Sequence, residues 1–136
     1  MHIIFGGAFN GKRAYVEKLV QGRSVQWIDA TVDDLSLLPN KEVVVVFGVE
    51  KLLEPALSKI YQQVDQWNEK VEVFVIATEI GRGIVPMEAS MRKLRDDVGR
   101  FYQQLFAKAE RVTRIWYGIP QIIKGEDGNE DLYKNG

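Results

Sequence analysis

The chain has 136 residues, 46% of them hydrophobic and 27% charged, which suits one soluble globular domain with a single buried core. Its 18 Lys and Arg against 19 Asp and Glu give a formal net charge of -1, which argues against a dedicated nucleic-acid or membrane-surface binder. With no cysteine there is no disulfide framework, thiolate metal site or cysteine nucleophile.

"HIIF" at 2–5 reads as a buried first strand running into Gly6 and Gly7. A helix follows, with Tyr15 or Val16, Leu19 and Val20 at helical spacing and Gly22 as its stop. "SVQWIDAT" at 24–31 is a weaker second strand, and 32–42 a connection broken at Pro39-Asn40. "EVVVVFGVE" at 42–50 carries four consecutive valines, as in a strand covered on both faces. A helix over 52–68 places Leu53, Leu57, Ile60, Val64 and Trp67 on one stripe, with Pro55 in its first turn.

The segment 70–78 is a further strand, with Val71, Val73 and Val75 on one face and Phe74 and Ile76 on the other. After the loop "EIGRGIVPMEAS", a second long helix at 88–109 has Met91, Leu94, Val98, Phe101 and Leu105 as its apolar stripe. "RVTRIWYGI" is the last major strand, with "PQIIK" as a short antiparallel partner. Strands alternating with helices predict an α/β fold, mainly parallel, with helices on both faces. The expected organisation is one domain over 1–124 and a loose polar tail over 125–136. The apolar start is too short for a signal peptide and no run reaches roughly 18 apolar residues, so the expected setting is cytoplasmic, without membrane attachment. Trp27, Trp67 and Trp116 fall in apolar stripes and are expected in the core.

Between the first strand and helix, "GGAFNGKR" nearly spells the phosphate-binding pattern G-x-x-x-x-G-K-[ST]. Backbone amides along Gly6, Gly7, Ala8, Phe9, Asn10 and Gly11 would surround phosphate oxygens, and Lys12 would reach the β and γ phosphates. The alternative is a Gly-rich turn followed by a surface lysine. Where a hydroxyl residue should ligate magnesium stands Arg13, which cannot hold a cation but can offer charge directly to a phosphate. Where a strand-end Asp should complete the metal site stands Phe47, and Glu50 is the first acid after it.

The loop Glu79-x-Gly81-x-Gly83-Ile84-Val85-Pro86, the helix pattern Arg95-Asp96-x-x-Gly99-Arg100-x-x-Gln103 and the later Gly118-Ile119 resemble the adenosylcobinamide kinase/adenosylcobinamide-phosphate guanylyltransferase family of cobalamin assembly. Independently of any family, the two loop glycines allow close backbone approach at a strand's carboxyl end, where α/β sheets bind ligands. Asp96 and Arg100 are spaced as an i,i+4 pair. Gly99 costs its helix roughly 1 kcal/mol against Ala, which suggests close packing there by a chain or ligand.

The resemblance implies a P-loop NTPase-like fold, ATP or GTP as cofactor, and phosphorylation of the aminopropanol hydroxyl of a corrinoid, cobinamide. It also implies a homo-oligomer, a trimer in that family. Guanylyl transfer there passes through a covalent histidine between the first helix and the central strand. Here residues 22–41 hold no histidine, and the chain's one histidine, His2, is expected at the surface or a sheet edge, so this second activity should be absent. Two readings remain. One is a reduced cobinamide kinase using Lys12, Glu79, Arg95 and Arg100, with magnesium held by Glu79 or Glu50. The other is a non-catalytic nucleotide- or corrinoid-binding relative acting beside another enzyme.

Overall fold

The computed structural model describes residues 1–8, 11–36, 39–80 and 88–125. Its six strands are β1 (His2–Gly6), β2 (Val25–Asp29), β3 (Val43–Phe47), β4 (Glu72–Thr78), β5 (Arg111–Trp116) and β6 (Ile119–Lys124). They form one sheet in the order β2-β3-β4-β1-β5-β6. Every pairing is parallel except β5 with β6, which is antiparallel. Three helices, α1 (Lys12–Leu19), α2 (Ala56–Asn68) and α3 (Ala89–Lys108), complete the α/β architecture.

The valine run shows how the sequence builds this sheet. Val44 and Val46 face the core under α2 and α3, while Val43 and Val45 face the core under α1. All four are fully buried, each gaining about 1.5–3 kcal/mol from leaving water. Strand β4 divides likewise, with Val73, Val75 and Ala77 on one side and Phe74 and Ile76 on the other. Helix α2 buries Leu57, Ile60, Val64 and Trp67, and α3 buries Val98, Phe101 and Leu105.

Several expected positions differ. Strand β3 ends at Phe47 because Gly48, at φ 84, turns the chain into a 3-10 turn over Val49–Lys51. Pro55 caps α2 instead of lying inside it, which leaves Leu53 ahead of the helix and 41% exposed. Leu19, the last residue of α1, and Met91, in the first turn of α3, are also exposed. Of the tryptophans, Trp67 is core, Trp27 is half-buried on the outer strand β2, and Trp116 is 60% exposed on the β5–β6 hairpin.

His2 is not at a sheet edge. Its strand lies between β4 and β5, and its Nε2 is 2.9 Å from Thr113 Oγ1 beside a cavity of about 170 Å³. The expected tail lies outside the described residues from 126 onward.

Candidate functional site

The carboxyl ends of the strands share one rim. Gly6 is in register with Thr78, and Asp29 with Phe47. Chain crossovers put the end of β4 between the loop after β1 and the turn after β3. At this rim a cavity of about 320 Å³ is bounded by Gly11, Lys12, Arg13, Ala14, Asp29, Phe47, Glu50, Lys51 and Thr78, among others.

The loop is held from both sides. The Glu79 amide donates to the Gly6 carbonyl at 2.8 Å, and a Cβ added at Gly6 would collide with the Ile115 carbonyl. Gly11 takes φ 86, a left-handed turn that favours glycine, and directs the chain into α1. The Tyr15 amide donates to the Gly11 carbonyl at 3.0 Å. The amides of Lys12, Arg13 and Ala14 therefore precede the first intrahelical bond, the disposition that receives anionic oxygen at a helix start.

Lys12 is 7% exposed, and its ammonium donates to the Gly7 carbonyl. Burial lowers its pKa and Glu50 opposes that shift. Among the described residues, Glu50 Oε2 is buried without a hydrogen-bond partner. Such an oxygen carries an uncompensated desolvation cost, of the order of 1–3 kcal/mol, unless a ligand or proton meets it. The nearby Tyr102 hydroxyl donates to the Thr78 carbonyl at 2.7 Å, and burial, then Glu50, pushes its pKa up. Beneath the loop, the Tyr102 ring stacks on Phe106 and meets Phe5 edge-on.

Where the cavity meets the ends of β2 and β3, the Arg13 guanidinium lies 4.2 Å from the Trp27 ring centroid and 5.5 Å from that of Phe47. Its Nε donates to Glu17 Oε1 at 3.1 Å. The two residues that depart from the phosphate-loop metal pattern thus touch each other. Asp29 contributes an acid to this wall, but its Oδ1 already accepts from the Thr31 amide and hydroxyl, which hold its pKa down.

Other expected site residues fall elsewhere. Glu79 follows β4 at the rim and is exposed. Arg95 and Arg100 lie on α3 and do not line the cavity that holds Lys12. The expected Asp96–Arg100 pair is replaced by Arg100 Nη2 with Asp97 Oδ1 at 2.6 Å, and by Arg95 beside Asp96 at 3.9 Å. A Cβ at Gly99 would meet nothing within 4 Å, so nothing described within the chain packs closely there. Phe9, Asn10, Gly81 and Gly83 lie outside the described residues.

The family model for cobinamide kinase / cobinamide phosphate guanyltransferase matches residues 26–123, well over half the chain. The chain belongs to this family. The cobinamide kinase match begins within β2, so the glycine-rich loop between β1 and α1 stands ahead of it. The bifunctional adenosylcobalamin biosynthesis protein CobP of Pseudomonas aeruginosa is 33% identical over 54 residues. That stretch covers 40% of this chain and 31% of the relative, so the chain spans well under two thirds of that protein.

In this cobinamide kinase relative, His2 lies at the amino end of β1, about 13 Å along the strand from Gly6 at the loop. It is in no position to exchange a group with a phosphate bound there. The magnesium expected beside such a loop finds a poor set of ligands. Arg13 and Phe47 occupy its two protein positions, and Glu50 offers a single unpartnered oxygen. No group of three or more His, Asp or Glu able to hold a metal exists among the described residues. No helix among the described residues is long and apolar enough to cross a membrane.

Proposed function

We propose that the chain binds ATP or GTP at the loop after β1 and transfers a phosphoryl group to the alcohol of a cobinamide-type corrinoid, without histidine-dependent guanylyl transfer. The observation that carries this reading is the union, in one cavity, of a buried lysine, a helix start and an orphaned carboxylate oxygen. Gly6, Gly7, Ala8 and Gly11 would shape the phosphate cradle, joined on sequence grounds by Phe9, Asn10, Gly81 and Gly83. Lys12 would leave the Gly7 carbonyl for the transferred phosphate, supplying charge as the bridging P–O bond breaks. The acceptor oxygen bonds to phosphorus and its proton passes to Glu50 or Glu79. Arg95 and Arg100, off the cavity, would serve the corrinoid or a neighbouring copy in a homo-oligomer.

The contact between Arg13 and Phe47 favours a second reading, a non-catalytic nucleotide- or corrinoid-binding relative that acts beside another enzyme. Incubating the purified protein with cobinamide, ATP or GTP and magnesium, then assaying for cobinamide phosphate, decides between them. Product that vanishes in Lys12→Ala establishes the kinase. Nucleotide binding without product moves the conclusion to the second reading. No nucleotide binding at millimolar concentration removes both. Light scattering tests the oligomer, with a trimer expected.

A further inference from the structure

Arg13 and Phe47 fail the metal pattern separately in sequence, but in space they are one unit. We infer that the Arg13 guanidinium, held against Trp27 and Phe47, takes the place of the divalent cation, so that this pocket receives a polyphosphate free of metal. The inference rests on the reading that the loop binds nucleotide, and it adds the form in which the nucleotide is taken.

Three observations lead here. First, the guanidinium is fixed by three contacts: Trp27 at 4.2 Å, Phe47 at 5.5 Å and Glu17 through Nε at 3.1 Å. A cation stacked on two rings and paired through one nitrogen is pre-oriented, and its remaining N–H donors have the planar spacing that matches two phosphate oxygens. Second, the group lines the same cavity as Lys12 and Lys51, so three cationic side chains border it. A divalent ion placed among them would meet like charge at each, whereas a triphosphate would be neutralised by them. Third, the acids that could offset this are constrained. Asp29 spends Oδ1 on Thr31 and Glu17 is turned to Arg13, while Glu50, whose Oε2 has no hydrogen-bond partner among the described residues, is the counter-charge of Lys12. The aromatic residue at 47 completes the exchange. An Asp there would have bound the metal or neutralised the arginine, while a ring stabilises the arginine and leaves its charge for the ligand.

The test is titration calorimetry of the full chain with inorganic tripolyphosphate and with ATP, each in excess EDTA and in excess magnesium. The expected result is binding in EDTA at least as tight as in magnesium, with quenching or enhancement of tryptophan fluorescence as the Arg13–Trp27 contact changes. Arg13→Ser should weaken EDTA binding about tenfold, the order lost with one charge-assisted contact, with a cooperative melt only slightly below wild type because Arg13 is exposed and loses only its surface contacts to Trp27, Phe47 and Glu17. Arg13→Lys should recover only part of that affinity, since an ammonium lacks the planar donors. Binding tenfold tighter in magnesium than in EDTA overturns the inference and leaves nucleotide binding standing. Unchanged EDTA affinity in Arg13→Ser overturns it equally. No binding under either condition overturns both the inference and the function on which it rests.

Discussion

The backbone amide of Glu54 donates to Oδ2 of Asp97 at 3.2 Å, tying the start of α2 to the middle of α3. Asp97 is 2% exposed, and it also holds Lys93 Nζ at 3.0 Å and Arg100 Nη2 at 2.6 Å. Lys93 first, then the Glu54 amide, keeps its carboxyl below the ordinary 3.8. A depressed carboxylate pKa contributes stability above the unfolded value and loses it as pH falls through the folded one. Acid unfolding of the wild type should therefore steepen below pH 3.8. Asp97→Asn should lose that segment and unfold at lower urea at neutral pH, as followed by circular dichroism. Arg100→Ala should act in the same direction on stability. If it instead abolished turnover with an unchanged urea midpoint, Arg100 would belong to the chemistry.

Lys12 supplies a pH dependence of opposite consequence. Burial lowers its pKa below 10.5, although Glu50 partly restores it, and a polyphosphate favours the charged form. Nucleotide affinity should hold while Lys12 is protonated and decline as pH rises through its lowered pKa, with proton uptake on binding in that window. Calorimetry in two buffers of different ionisation enthalpy reads the uptake directly. Lys12→Ala should weaken nucleotide binding by about 10- to 100-fold, the range for a charged hydrogen bond, and should flatten the alkaline limb.

The sheet was legible wherever burial alone chose the residues. The four valines of β3 and the alternation in β4 fixed both faces, because a strand covered on two sides leaves no room for polar side chains. Strand order was not legible, since it depends on long-range packing, and so a sheet edge stood beside the surface as an expected place for His2, whose strand is central. Within the site, the loop was visible as spacing, but the Arg13–Trp27–Phe47 contact joins three separate segments and no periodicity carries it. Asp97 does leave a trace in the sequence. It sits on the apolar stripe beside Val98 and Phe101, with cations four residues before it and three after, the pattern of a buried acid anchored by its own helix.

Two glycines differ in what a side chain there would meet. Gly6→Ala would drive a methyl into the Ile115 backbone, which cannot retreat, and should cost at least about 1–3 kcal/mol. Gly99→Ala meets open space in a helix and should stabilise the isolated chain by roughly 0.5–1 kcal/mol. Thermal melts of the two variants should move in opposite directions. If Gly99→Ala also lowers the oligomer mass in light scattering, the glycine's space is filled by a second copy.

Tyr117 sits at φ 48 beside Gly118 at φ 76, so the two-residue turn joining β5 to β6 asks its first position for a left-handed conformation. Such turns favour Asn or Gly, and a tyrosine there costs about 1–2 kcal/mol. Its edge-on contact with Trp116, centroids 5.2 Å apart, returns part of that, but both rings are mostly exposed. Tyr117→Asn should therefore raise stability by about 0.5 kcal/mol, seen as a small rise in melting temperature. The turn also approaches the loop after β1, for a Cβ at Gly11 would lie 3.5 Å from Gly118 Cα. Strain of this kind persists where a side chain is needed for something other than folding. If the ring meets the ligand, Tyr117→Asn should weaken ATP binding while the protein melts later. A variant that melts later with ATP affinity intact would confine Tyr117 to the hairpin.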